Sequence, residues 1–338
     1  MKKLLSIALS IALMLCVMPL GALSVAAYSD FAGGSGTEED PYLIATVDQL
    51  DNVRYYMDAH FRLTCDLDLT EAVAEGGIYD VEGRGWAPIG GENTYYFTEF
   101  TGSFDGDGPT ISGLRVNIPT GYDQSNNIYA GLFAYNTGTI EGLIVEGAIS
   151  VKRASGGTYV YAGGIVGYNK GTVRNCHNAV AVTANSPNYS CYAYAGGIAG
   201  YQSSGTIEQC YNTADVQGVG RSYSPYAGGI CGYNDGGIIR NCYNTGNIHS
   251  KQAGTSSSQY LYAYAGGIAG YYVSSSSGSI THCYNAGAIT AENADTSSLA
   301  YRYAITYTDK YTNCYYLQGT GDAGKGAVSL TEAQMRKA

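Results

Sequence analysis

Large apolar residues recur along this chain in sets of four. The stretch from Tyr161 to Val182 is repeated, with small changes, at intervals of little more than thirty residues. Five copies align on the anchors Leu132, Ile140, Leu143, Ile149; Ile165, Val173, Cys176, Val182; Ile198, Ile207, Cys210, Val216; Ile230, Ile239, Cys242, Ile248; and Ile268, Ile280, Cys283, Ile289. The last two gaps stay at three and six residues, while the first varies as 8, 8, 9, 9 and 12. The variable segment is a turn of residues that tolerate positive φ or bond their own backbone, such as Asn-Lys-Gly in one copy and Gln-Ser-Ser-Gly in the next. A second variable loop follows the fourth anchor, as at 184–192. A unit that keeps its apolar spacing while swelling only at turns is one coil of a solenoid.

The coils are predicted to be strands. Apolar residues alternate over short runs bounded by Gly, Asn and Ser, β-branched and aromatic types dominate, and no repeat holds a 3.6-residue period for three turns. A gap of three, as between Val173 and Cys176, cannot lie on one face of a flat strand, so a corner falls there. Three short strands per coil around a column of stacked anchors predict an all-β parallel β-helix of roughly seven coils.

Ahead of the repeats, Asp40 to Ile44 reads as a strand. Thr46 and Gln49 read as a capping box opening a short amphipathic helix, with Val47, Leu50, Val53 and Met57 on one face. Such a helix would close the open end of the solenoid. Phe61, Leu63, Cys65, Leu67 and Leu69 alternate as a first core strand. Trp86 to Gly91 reads as a turn, and Phe100 to Val116 as a further coil, with Ile111 and Leu114 repeating the gap of three. After Ile289, Ile305, Tyr311 and Cys314 mark a last partial coil.

Residues 1–27 begin with Lys2 and Lys3, run apolar from Leu4 to Leu15 and end on Val25-Ala26-Ala27, the pattern of a cleaved secretory signal. The chain is therefore expected to be secreted, without a transmembrane segment. No small residue precedes Cys16, so no lipid attachment is expected, and no Leu-Pro-x-Thr-Gly sequence offers cell-wall attachment. The expected division is 1–27 signal, 28–128 cap and first coils, 129–317 repeat coils and 318–338 tail. Loss of Lys2 and Lys3 takes the formal net charge from −10 to −12. So acidic a chain argues against nucleic acid or anionic lipid as partner.

The runs Gly163-Gly164-Ile165-Val166-Gly167, Gly196-Gly197-Ile198-Ala199-Gly200, Gly228-Gly229-Ile230-Cys231-Gly232 and Gly266-Gly267-Ile268-Ala269-Gly270 each lead through a turn to Asn-Cys-Tyr-Asn or a near relative. They resemble the GLUG motif of bacterial cell-surface proteins. Gly36 to Ile44, Asp66-Leu67-Asp68-Leu69 and Phe104 to Gly108 resemble the segment that leads into such repeats. The resemblance implies an extracellular right-handed β-helix in an adhesin-like setting, and no particular ligand. Some relatives carry the repeats within larger proteins such as IgA-cleaving metallopeptidases. This chain has no His-Glu-x-x-His, so that activity does not carry over.

Several columns of like residues follow from the alignment. Cys176, Cys210, Cys242, Cys283 and Cys314 read as small apolar core residues, because in-register neighbours stand wider apart than a disulfide wants. Cys191 and Cys231 lie off this column and are the better candidates for any bridge. Glu141, Arg174, Glu208, Arg240 and Thr281 form an outward column of alternating charge. Asn178, Asn212, Asn244 and Asn285 form an amide ladder. Tyrosines stand in three columns: Tyr129, Tyr161, Tyr194, Tyr226 and Tyr264; Tyr135, Tyr168, Tyr201, Tyr233 and Tyr271; and Tyr211, Tyr243, Tyr284 and Tyr315. The second is expected to face outward and is the candidate binding surface, for a glycan or a host or matrix protein. Stacked rings can equally be a structural spine.

Candidate chemistry is thin. There is no Gly-x-Ser-x-Gly, phosphate loop or metal pair, and His60, His177, His249 and His282 lack partners at useful spacing. No cofactor or metal is expected. Asp66 with Asp68, and Asp105 with Asp107, read as turn residues rather than as a catalytic or calcium cluster. The sequence thus points to a monomeric binding or spacer module, not an enzyme. The alternatives are a polysaccharide lyase or hydrolase on a β-helix, or a passive fragment of a longer surface protein.

Overall fold

Four ladders of short parallel strands build the structure: in the order a coil visits them they hold 6, 5, 9 and 12 strands, the last two running nearly its whole length and the first two starting at residue 128. This computed structural model describes residues 30–92, 97–119, 127–153, 159–187, 191–254, 261–273, 277–294, 299–324 and 326–336. The expected signal at 1–27 lies outside the described residues. Among the described residues the chain is a parallel β-solenoid of about six turns, one fewer than the sequence suggested.

One full coil shows how the sequence makes the shape. Val160–Gly163 forms the first strand, a bend at Gly164 and Ile165 follows, and Val166–Asn169 forms the second. Thr172–Arg174 is the third and His177–Ser186 the fourth. The coil thus has four strands, not three, because the Gly-Gly-Ile bend splits the first expected strand in two. The corner inferred from the gap of three is present in successive coils. Gly142, Asn175, Gln209, Asn241, His282 and Asn313 occupy it with φ between 52° and 61°. That left-handed conformation favours Gly and Asn, the residues at four of these six positions.

The anchors meet in register: Ile140, Val173, Ile207, Ile239 and Ile280 stack along the third ladder, and Ile149, Val182, Val216, Ile248 and Ile289 along the fourth. Together with Ile165, Ile198, Ile230 and Ile268, all are at most 4% exposed. Burying an Ile or Val of this kind contributes about 1.5–3 kcal/mol. Cys176, Cys210, Cys242, Cys283 and Cys314 continue the core, each Sγ directed at the carbonyl two residues back. Cys191 and Cys231 are also buried and unbridged, and all eight described cysteines are free thiols.

The N-terminal segment follows the reading with three adjustments. The helix spans Val47–Asn52 and continues as a 3-10 turn, Val53–Tyr55, with Leu50 and Val53 buried. Thr46 accepts from the Gln49 amide, but the Gln49 side chain reaches back to the amide of Ala45, one residue earlier than a capping box requires. Phe61 to Leu69 is not one strand: His60–Leu63 ends at a corner, Cys65 is exposed, and Leu67–Asp68 belongs to another ladder. Ile111 and Leu114 lie in a single strand, Thr110–Ile118, where Gly113 at φ +71° makes a bulge that shifts register. Their gap of three is therefore not the corner, and the partner of Ile140 is Phe104. At the other end, Tyr311–Thr312 and Tyr315–Leu317 form the expected partial coil. The tail adds a strand, Val328–Leu330, and a short helix, Glu332–Met335.

Candidate functional site

The bend that splits each coil brings two strands together at the backbone level, and glycine permits this. A Cβ on Gly163 would lie 2.2 Å from the Val166 carbonyl oxygen and 2.6 Å from the Gly200 nitrogen. A Cβ on Gly164 would lie 1.9 Å from Oδ1 of Asn178, whose amide ladder fills the space behind the bend. The first Gly therefore serves the approach of the next coil, and the second makes room for Asn.

Folded this way, two tyrosine columns interlock. Along the first, Tyr129, Tyr161, Tyr194, Tyr226, Tyr264 and Tyr301 stack with centroids 5.0–5.4 Å apart. Along the second, Tyr135, Tyr168, Tyr201, Tyr233, Tyr271 and Tyr307 stack at 4.6–5.3 Å. Between columns the rings meet edge to face, as Tyr161 does with Tyr168 at 5.4 Å and 90°, and Tyr194 with Tyr233 at 5.1 Å and 67°. Offset stacking and edge-to-face contact are both favoured by the ring quadrupole, at about 0.5–1.5 kcal/mol per pair beyond burial. The second column is accordingly less exposed than expected. Tyr135 is buried at 5%, beneath the Lys170 ammonium, and Tyr168, Tyr201, Tyr233 and Tyr271 are half-buried.

A further set, Tyr159, Tyr192 and Tyr223, which the alignment missed, stacks outside the first column. Its signal is a tyrosine two or three residues ahead of Tyr161, Tyr194, Tyr226 and Tyr264. These three sets enclose an open cleft of about 390 Å³ lined by Tyr159, Tyr161, Tyr192, Tyr194, Tyr201, Tyr226 and Tyr233. Of the five expected binding residues, Tyr201 and Tyr233 line it. Tyr168 packs against its floor, and Tyr135 and Tyr271 lie beyond it.

Among the described residues no charged side chain lines the cleft. Burial pushes the phenols of Tyr161, Tyr194, Tyr201 and Tyr226 well above their ordinary value, and that of Tyr233 up to about 12. Tyr201 also donates to Asp235 at 2.8 Å. The cleft is thus a neutral surface of rings and protonated hydroxyls. The third tyrosine column stands elsewhere, stacked at 4.7–4.9 Å from Tyr211 to Tyr284 and continued backward by His177.

A larger polar groove of about 590 Å³ runs across the turns before the third ladder, with Asp58, His60, Arg62, Asp105, Glu141, Lys170 and Arg174 among its walls. Arg62 pairs with Asp105 at 3.2 Å and Arg174 with Glu141 at 2.6 Å. His60 Nδ1 lies 2.7 Å from Ser103 Oγ, but His177 with Thr213 and His249 with Thr290 make the same kind of contact between coils. The pairing is a recurrent coil-to-coil bond. Asp66 accepts from the Thr110 amide, Asp68 from that of Thr70 and Asp105 from that of Asp107, as expected of turn residues. Among the described residues no group of three His, Cys, Asp or Glu is placed to hold a metal.

The GLUG motif matches residues 192–217 and 223–248, each match being one coil. The chain is 42% identical over 107 residues to a "Putative Gly-rich membrane protein" of Evansella cellulosilytica, and 36% identical over 120 residues to Halomucin of Haloquadratum walsbyi. These matches cover 31% and 34% of this chain but only 10% and 1% of those proteins. In fold it is similar to the crystal structure of a "putative immunoglobulin A1 protease" from Bacteroides ovatus, with a TM-score of 0.59 over 91% of this chain and 89% of that one, at 23% identity. This chain thus carries the GLUG motif in two adjacent coils of a parallel β-solenoid, with neighbouring coils stacked in register on them.

Proposed function

We propose that the protein is a secreted or surface-exposed binding module whose ligand lies in the tyrosine cleft, and that it is not an enzyme. The observation that carries this reading is the cleft itself: about 390 Å³ of open space walled, among the described residues, by uncharged tyrosines. Rings already held by their neighbours lose little freedom on binding, so affinity accrues from several modest contacts on a preorganised surface. The polar groove supports this reading over catalysis, since two of its carboxylates are already committed to arginines. The N-terminal signal pattern and the relatives described as membrane protein and Halomucin support an extracellular setting.

Glycan and extracellular-matrix arrays probed with the mature protein, beside a Tyr159→Ser, Tyr192→Ser double variant, test this. Both residues stand at the rim, Tyr159 being 38% exposed, so the variant is expected to melt close to the parent and to lose the array signal. Binding that survives the double change places the ligand outside the cleft, and no binding at all favours a passive spacer.

A further inference from the structure

The cleft is periodic along the solenoid, and its chemistry repeats with each coil. Tyr161, Tyr194 and Tyr226 form its floor at intervals of 5.4 and 5.3 Å, and Tyr201 and Tyr233 form one wall at 5.3 Å. Tyr161 and Tyr194 are each only 6% exposed, yet among the described residues their hydroxyls have no protein hydrogen-bond partner, and they are not sealed off from solvent. Hydroxyls that open into one cleft and are not already engaged by protein groups are free to exchange water for the hydroxyls of a ligand. Resting on the reading of the cleft as a binding site, we propose that its ligand is an uncharged polysaccharide in extended conformation, lying parallel to the solenoid axis with about one sugar per coil.

Three features select this class. Among the described residues the lining carries no charge, and the chain is acidic at −10, so an anionic ligand finds no foothold there. The repeat is the second. A fully extended polypeptide advances roughly 3.3 Å per residue and restores side-chain direction after about 6.6 Å, neither of which keeps step with 5.3 Å. A pyranose ring with its glycosidic oxygen, extended through equatorial links, is comparable in length to one coil. Third, each strand flanking the cleft already pairs with a coil on both sides, so a peptide cannot join as an added strand. Phenol hydroxyls both donate and accept, and ring edges suit the apolar C–H faces of a sugar.

The test is calorimetric titration of the mature protein with β-1,4-linked glucose or N-acetylglucosamine oligomers of increasing length. Controls are α-1,4-linked glucose oligomers, oligogalacturonate and a proline-rich peptide. A β-linked oligomer is expected to bind with affinity that rises per sugar until about three coils are spanned and then levels off, with little salt dependence. Tyr161→Phe and Tyr194→Phe remove one hydroxyl each while keeping the ring. Each is expected to weaken binding about three- to tenfold without lowering the melting temperature. The proposal is overturned if α-linked oligomers bind equally well, if affinity does not change with length, or if both Phe variants bind like the parent. Peptide or galacturonate binding that Tyr192→Ser abolishes removes the neutral glycan but keeps the cleft as a binding site. If no probe binds and the arrays are also silent, both readings fall.

Discussion

Along the outward face of the third ladder, Arg62, Asp105, Glu141, Arg174, Glu208 and Arg240 follow one another in register. Asp105 and Glu141 are adjacent like charges, and each is held by an arginine on its far side. Arg174→Glu would remove one of these partners and set four carboxylates in a row. Side chains this exposed interact weakly, so the expected cost is about 0.5–2 kcal/mol at low ionic strength, falling as salt is added. Denaturant melts at two salt concentrations measure it. A second test concerns the turn after the second strand. Asn136 donates to Asn169 at 2.8 Å, but on the next coil Gln202 leaves its Oε1 buried without a partner. Asn234, one coil further and in a turn of the same length, has its amide oxygen bonded to Gly236 and Gly237. Gln202→Asn is therefore expected to stabilise the fold by about 1 kcal/mol, read as a higher melting temperature.

At the level of the coil, the ladder of Asn178, Asn212, Asn244 and Asn285 passes one amide hydrogen bond of 2.7 Å from each coil to the next. Each Nδ2 also donates to a carbonyl two residues on. The sequence revealed this ladder because identical residues at a fixed offset from an apolar anchor must stack once the anchors do. The charge column and the corner at the gap of three were legible for the same reason. The split of the small strand was not, since Gly-Gly-Ile reads equally as strand or bend until the opposing backbone of the next coil is placed. Ile111 and Leu114 misled for a related cause, because a bulge at Gly113 and a corner at Asn175 both produce a spacing of three. The wall formed by Tyr159, Tyr192 and Tyr223 was hidden because its offset from the anchors slips by a residue between coils. The register of the first bend is testable through Ile198, fully buried and bonded through its backbone to Ile165 and Ile230. Ile198→Asp places a carboxylate in the core without a partner and is expected to abolish the cooperative melt. A variant that retains it would mean that this residue is not inside.

For the molecule as a whole, the dominant chemical fact is the number of phenols held away from water. The chain has 34 tyrosines, and those of the two interlocked columns lose hydration to one another rather than to an aliphatic core. Burial raises the phenol pKa of Tyr161, Tyr194, Tyr201, Tyr226 and Tyr264 above the ordinary value of 10.0. A phenol whose folded pKa is raised keeps its proton at a pH where the unfolded chain has released it. Above pH 10 the folded state thus binds more protons than the unfolded one, and stability falls as pH rises. Below that pH the contribution is fully present. The solenoid is expected to resist mildly alkaline solution and then to unfold over a narrow range beginning near pH 10, many sites contributing in the same direction. Phenolate absorbance and far-ultraviolet circular dichroism, followed together, are expected to change in one step, because the column tyrosines ionise only as the coils open. Replacing Tyr161, Tyr194 and Tyr226 by Phe keeps the stacked rings and removes three of these protons. It is expected to move the alkaline transition upward. If the absorbance instead rises smoothly from pH 10 while the dichroism holds, the phenols are hydrated in the native state and the herringbone packing described here is wrong.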